Sequence, residues 1–393
     1  MKGRKSIIVA IEGNVPSYKA HSVTTAKMAD GFQDLNKAPV TFLFGGSLMS
    51  LYRRIRFGGI KFHYGISGRI SFKGFHCPLS RDYYIKSIGL RGVVKRFSSF
   101  LRKNKKRIDF VYARSFRFSI ACIEEGVPVI METHASAITN IFFKELIKVS
   151  GHPCFLGIVT IHEKLKALYV EAGVPAEKVI VLHDGFSCKL FKEENLLKSK
   201  ERQILRATYI GGLFEEKGIR DILSLSIMAS DNGLPVEFHI YGGEPKQVKY
   251  WKSEYLKAGG GQNLNFHGFV ANSLVPRILK QSDILLMPYP KLKKFDVMDI
   301  NTTSPLKLFE YMASKKPILS TNIPVVSSVL THDRDAYLGD FGDVEDHFKG
   351  LCLLVNDVNY RQELSINSYN KSFQYSWKNR AEEVYKFVHK GES

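Results

Sequence analysis

Residues 304–318 read SPLKLFEYMASKKPI. Ser304 followed by Pro305 reads as a helix start: a hydroxyl at the N-cap, then proline at the first helical position, where no N–H is missed. Leu306, Phe309, Met312 and Ala313 recur at helical spacing, which predicts a helix with one buried face. Its first turn would present free backbone N–H groups, which suit an anion. Lys307 adds a positive charge in that turn. Glu310 places a carboxylate one turn on, where it can accept hydrogen bonds from a sugar diol. Together these groups fit a diphosphate joined to a ribose. An ordinary capped amphipathic helix uses the same residues, and local physics leaves both readings open.

On either side of this stretch, short β-rich runs alternate with helical ones, which argues for α/β architecture with parallel sheets. Candidate strands fall at 6–11, 40–44, 110–113, 127–132, 157–161 and 179–182 in the first half. In the second half they fall at 207–210, 237–241, 264–266, 284–288, 317–320 and 351–355. Gly, His, Asn or Pro follows just after them, and in such sheets ligands bind beyond the carboxyl ends of strands. A chain of 393 residues is comfortable for two domains. The charged stretch 191–203 reads as a linker between domains at 1–190 and 204–375. A cleft between two Rossmann-like domains is the expected site.

Five scattered cysteines, with no C-x-x-C and no metal-like spacing, suggest a reduced, cytoplasmic protein. The histidines form no ligand cluster in sequence, so no metal is expected. No secretory signal is apparent, and no apolar run reaches membrane-spanning length. The net charge of +19 is unevenly placed: residues 51–107 hold sixteen Lys or Arg against one acid, Asp82. Aromatics are interleaved there, including Tyr52, Phe57, Phe62, Tyr64, Phe72, Phe75, Tyr83 and Tyr84. That mixture suits an anionic membrane surface, a lipid-linked pyrophosphate or nucleic acid, and a merely solvated basic face is the plain alternative.

The 304–318 segment resembles the donor-binding motif of family 4 glycosyltransferases, retaining enzymes of GT-B fold. PSYKAHSVTTAKMADGF (16–32) is similar to that family's N-terminal loop and first helix. YIGGLFEEKG (209–218) resembles its phosphate-binding lysine segment, and SWKNRAEEVYKF (376–387) its closing helix. The resemblance implies two facing Rossmann-like domains, with helix 376–391 packing back on the first. Trp377, Ala381, Val384, Tyr385 and Val388 would give that helix its docking face.

On the donor side, the resemblance assigns Gly13, Gly211, Gly212, Lys217, Gly242, Gly243, Phe269, Val270, Ser304, Pro305, Leu306, Lys307 and Glu310 to a UDP- or GDP-sugar. Gly212 stands where the family usually has arginine, and Thr302 where its first motif glutamate falls, with Asp299 a nearby substitute. On the acceptor side it suggests Tyr18, His21 and Arg114. His134, just past a strand end, would touch the donor sugar, so His134, Lys217 and Glu310 are the expected catalytic group. His162 and residues 183–185 are assigned to an interdomain hinge.

The implied reaction is transfer of a sugar with retention, without a metal or other cofactor, onto a glycan or lipid-linked acceptor in surface polysaccharide assembly. Segment 51–107 would then meet an anionic membrane, placing the protein peripherally on the inner face of the cell membrane. A nucleotide-sugar epimerase or an inactive GT-B scaffold is the nearer rival. A basic nucleic-acid-binding protein is the further one, and no nucleic acid is expected because no recognition motif accompanies the charge.

Overall fold

The computed structural model describes residues 4–17, 19–47, 59–66, 68–77, 83–134, 141–191, 202–292 and 305–390. It divides into two compact units, Met1–Ser187 with Ser376–Ser393, and Cys188–Tyr375. The expected Tyr18, Asp299, Thr302 and Ser304 lie outside the described residues.

The first unit holds seven parallel strands: β1 (Ser6–Glu12), β2 (Val40–Ser47), β3 (Ser71–Cys77), β4 (Ile108–Arg114), β5 (Val129–Glu132), β6 (Phe155–Thr160) and β7 (Val179–Val181). Their order is β3-β2-β1-β4-β5-β6-β7. β1, β4, β5 and β6 read as largely buried runs because both sheet faces are covered. On one face Ile8, Ala10, Val111, Val129 and Met131 pack with Phe97 and Phe118 from the helices Tyr83–Asn104 and Phe116–Glu124. The helices Ala20–Asp34 and Trp377–Val388 lie together, and a Cβ on Gly31 would strike the Trp377 carbonyl oxygen at 2.3 Å.

The second unit holds β8 (Leu205–Ile210), β9 (Val236–Tyr241), β10 (Leu264–Gly268), β11 (Ile284–Met287), β12 (Ile318–Thr321) and β13 (Tyr337–Gly339). These are parallel in the order β10-β9-β8-β11-β12-β13. Both sheets reverse direction of growth beside their first strand, between β1 and β4 and between β8 and β11. Such switch points open a crevice at the strands' carboxyl ends.

Two expectations need correction. Residues 351–355 are helical, within Val344–Asn356, because Leu351, Leu354 and Val355 are buried at helical spacing behind an Asp343 N-cap. The helix at Leu306–Ala313 is capped by Pro305, with ψ 83°, and no side chain caps it. The segment 51–107 also differs in detail from a mixed basic and aromatic surface. Tyr64, Phe75 and Phe97 are buried, whereas Arg91, Lys95, Arg96, Lys103, Lys105, Lys106 and Arg107 are exposed. Apolar rings move inward and charges outward, so the described part is a basic face with Phe62 as its exposed ring.

Candidate functional site

In the second unit the switch point lies between the loops after β8 and β11. Gly211 donates to the Tyr241 carbonyl at 2.9 Å and Gly242 to that of Gly268 at 2.7 Å. A Cβ on Gly242, whose φ is 126°, would sit 1.8 Å from the Gly211 oxygen. Only glycine lets these two backbones approach so closely. Tyr209 Oη donates to the Gly212 carbonyl at 2.8 Å, which ties the turn to the strand below it.

Lys307 comes from the first turn of the helix Leu306–Ala313 to this turn, its Nζ 3.8 Å from the centre of the Tyr209 ring. Lys217 stands 5.9 Å from the centre of the Tyr289 ring, just past β11. Lys307 keeps some exposure as a residue. Even so, burial of its ammonium, and then the charge of Lys217, push its pKa well below the ordinary lysine range. Leu308, Phe309, Tyr311 and Met312 bury the helix, leaving Leu306, Lys307 and Glu310 partly exposed along the opposite stripe. The structure therefore brings together Gly211, Gly212, Gly242, Lys217 and Lys307, with Glu310 one turn along from Lys307. Gly243 packs on Leu213, and Val270 and the exposed Phe269 follow β10.

In the first unit, Gly13 follows β1 and donates to the Gly45 carbonyl at 2.6 Å. A Cβ on it would lie 3.7 Å from His21 Nε2. Burial, with the charges of Arg114, Lys19 and His134 behind it, drops the His21 pKa to about 4. Arg114 turns its guanidinium onto Thr24 Oγ1 and the His21 carbonyl. His162 caps the helix Glu163–Glu171 by accepting from the Lys164 N–H.

His134 lies just beyond β5, its side chain 16% exposed. Its Nε2 meets Glu132 Oε1 at 2.5 Å and lies 3.9 Å from Asp184 Oδ1. These three residues lie close enough to hold a cation. Glu132 also accepts from Tyr112 Oη and pairs with Arg380. Glu132, Tyr112 and Arg380 were missed as site residues by sequence reasoning, and Asp184 was expected at a hinge rather than beside His134. One signal was present: Arg380 falls on the same helical stripe as Trp377, Ala381 and Val384, where a charge has no reason to sit without a buried partner.

Residues 189–371 match the Glycosyl transferases group 1 family. Over 176 residues the chain is 24% identical to the amylovoran biosynthesis glycosyltransferase AmsK of Erwinia amylovora, covering 45% of this chain and 42% of AmsK. The chain thus spans about two fifths of that curated relative. Among solved structures, Anabaena HepE in complex with UDP and glucose superposes with a TM-score of 0.70 at 13% identity, covering 98% of this chain and 100% of HepE. The lipopolysaccharide outer core galactosyltransferase WaaB gives 0.63 at 13%, covering 98% and 99%.

The fold is GT-B. In GT-B terms the glycine crevice and its two lysines belong to the unit that carries the family match, and His134 to the other.

Proposed function

We propose that this chain is a glycosyltransferase that moves a sugar from a UDP- or GDP-sugar onto a glycan or lipid-linked acceptor, with the anomeric configuration retained. One observation carries the reading: Lys217 and Lys307 stand at the second unit's switch point beside a turn that only glycine can form. That is a site for a diphosphate. The N–H groups of the helix Leu306–Ala313 add partial positive charge. HepE is seen with UDP and with UDP-glucose, which favours a nucleotide diphosphate here.

In this mechanism the leaving diphosphate gathers negative charge as the sugar carbon becomes cationic. Lys217, Lys307 and the helix terminus stabilise that charge, so the proposal invokes no metal ion. Glu310 binds the ribose hydroxyls. With no nucleophilic carboxylate assigned, the acceptor attacks from the face the diphosphate leaves and passes its proton to it. His134 serves the transferred sugar, and Arg114, His21 and Tyr18 serve the acceptor. AmsK is named for amylovoran biosynthesis and WaaB for the lipopolysaccharide outer core, which supports a role in surface polysaccharide assembly. The basic face of the first unit would hold the protein peripherally on the inner face of the cell membrane.

The test is thermal stability against a panel of nucleoside diphosphates and their sugars, repeated on Glu310→Ala. A ligand at 100 times its Kd adds about 2.7 kcal/mol. A shift with one base, diminished in the variant, is expected. Absence of any shift sinks the donor assignment. Release of free monosaccharide with nucleoside diphosphate points instead to a hydrolase or epimerase.

A further inference from the structure

We propose that Glu132 is a positioning residue for His134, fixing which ring nitrogen faces chemistry, and that Arg380 of the terminal helix holds Glu132 in place to do so. The functional consequence rests on the reading that His134 serves the transferred sugar, but the hydrogen-bond chain is independent of it.

Three donors converge on the Glu132 carboxylate, which is fully buried. Tyr112 Oη donates to Oε2 at 2.5 Å, His134 Nε2 meets Oε1 at 2.5 Å, and Arg380 Nη2 lies 3.2 Å from Oε1. Arg380 is itself locked. Its Nε donates to the His183 carbonyl at 2.9 Å and its Nη2 to that of Leu182 at 3.1 Å. Its Nη1 donates to Tyr112 Oη at 2.9 Å, with Met28 Sδ at 3.7 Å. A guanidinium keyed to so many acceptors cannot rotate, and its planar fork fixes the carboxylate beside it.

Burial alone would raise the Glu132 pKa. The charge of Arg380, with Arg114 behind it and the hydrogen bond from His134, outweighs it and holds the group well below the usual carboxylate range. An ionised carboxylate only accepts. His134 must therefore carry its proton on Nε2, and the remaining chemistry of the ring falls to Nδ1. Asp184 reinforces this arrangement. Both its oxygens are buried without a hydrogen-bond partner among the described residues, and Oδ1 lies 3.9 Å from the same nitrogen. A ring flanked by two carboxylates on its Nε2 side has one compatible neutral tautomer. The rival use of the cluster is a cation site. Against it, Glu132 Oε1 is already engaged by His134 and Arg380, and a guanidinium repels a cation placed beside it.

The experiment is ¹⁵N NMR of the full chain labelled at histidine, with the His134 signals assigned by loss in His134→Asn. Wild type should show a protonated Nε2 and a bare Nδ1. In Glu132→Gln, whose amide can donate or accept, the two nitrogens should move toward averaged positions. Arg380→Met alone leaves a buried acid uncompensated and can fail to fold, so the double variant Glu132→Gln/Arg380→Met is measured beside it and should show the same averaging. Turnover of the nucleotide sugar found by the stability panel should fall about 10- to 100-fold in kcat in Glu132→Gln. Its KM should stay within about threefold, since ground-state binding is not removed. An unchanged tautomer in Glu132→Gln overturns the proposal. So do His134 shifts on adding Mg²⁺, Mn²⁺ or Zn²⁺ that vanish in Asp184→Asn, which would make the cluster a metal site. Tautomer averaging without turnover of any nucleotide sugar supports the hydrogen-bond chain and removes only the glycosyl-transfer reading.

Discussion

Lys307 is where burial and charge conflict most sharply. Its pKa in the folded chain is pushed far below that of an exposed lysine by burial and by Lys217. Between the folded and unfolded pKa the unfolded chain binds the extra proton, so stability rises with pH across that interval. Below the folded pKa the full cost of a buried cation is present. Lys307→Met should therefore stabilise the ligand-free protein by about 1 kcal/mol, or about 2–4 °C in melting temperature, while abolishing nucleotide-induced stabilisation. Calorimetry across a pH series in two buffers of different ionisation enthalpy should show proton uptake on binding at pH values between the pKa of Lys307 without nucleotide and its pKa with it. No uptake, together with a lower melting temperature, would refute this account. His21 gives a second titration. With its pKa lowered to about 4, it binds fewer protons folded than unfolded between about pH 4 and 6.5. Stability from this residue is present above that window and is lost as pH falls through it, so His21→Gln should flatten the acid limb of a melting curve taken against pH. At this scale the meeting of Lys217 with Lys307 in the second unit was expected from the resemblance, since local physics reads 304–318 equally well as an ordinary capped helix. The cluster around Glu132 was not, since Arg380 and Tyr112 meet across 268 positions of sequence that no local pattern connects.

Among the elements, the turns after β8 and β9 are the least forgiving. Gly242→Ala places a Cβ 1.8 Å from a backbone oxygen at a φ of 126°, and neither the carbonyl nor the dihedral can give way cheaply. A loss of at least about 2 kcal/mol is expected, read as a fall in denaturant midpoint. Gly212→Ala meets the Phe214 ring, at 2.6 Å, and that half-exposed ring can swing outward. It should cost less than half as much, and equal losses would contradict the backbone argument. The same balance of local and distant forces explains which elements could be read. β1 declares itself as a buried apolar run, and β8 and β9 by buried apolar residues at every second position. β3 was missed because it is an edge strand carrying Lys73, and charge on an edge is what guards it against stray pairing. Residues 351–355 were misread because a short apolar run looks alike in a buried strand and a buried helix. The 3.6-residue period that separates them shows only when Leu351 is taken together with Leu354, Val355 and the Asp343 cap.

For the whole molecule, charge is distributed against the fold's own interior logic. Among the described side chains of 59–107 the first unit buries Tyr64, Phe75 and Phe97 and turns its cations to solvent, so what remains outside is a mainly electrostatic surface with Phe62 as its exposed ring. Around the end of the helix Tyr83–Asn104, Lys103, Lys105, Lys106 and Arg107 are all exposed, and Arg102 is partly neutralised by Glu125. Such a surface gains from an anionic leaflet through Coulomb attraction and little through insertion of rings. Membrane association, if it is this face's purpose, should therefore be strongly salt-dependent, because the Debye length is only about 8 Å at physiological ionic strength. Each basic residue near the surface contributes about 1 kcal/mol, roughly fivefold in partition. Changing Lys103, Lys105, Lys106 and Arg107 together to Gln should thus reduce binding to vesicles of mixed neutral and anionic phospholipid by nearly three orders of magnitude, about 600-fold, without altering nucleotide-induced stabilisation. Sedimentation of the protein with vesicles across a salt series measures both effects. Binding that ignores salt and survives the four substitutions would remove this face as the membrane contact. Stronger retention by single-stranded nucleic acid than by vesicles at equal salt would instead favour the nucleic-acid reading of the same charges.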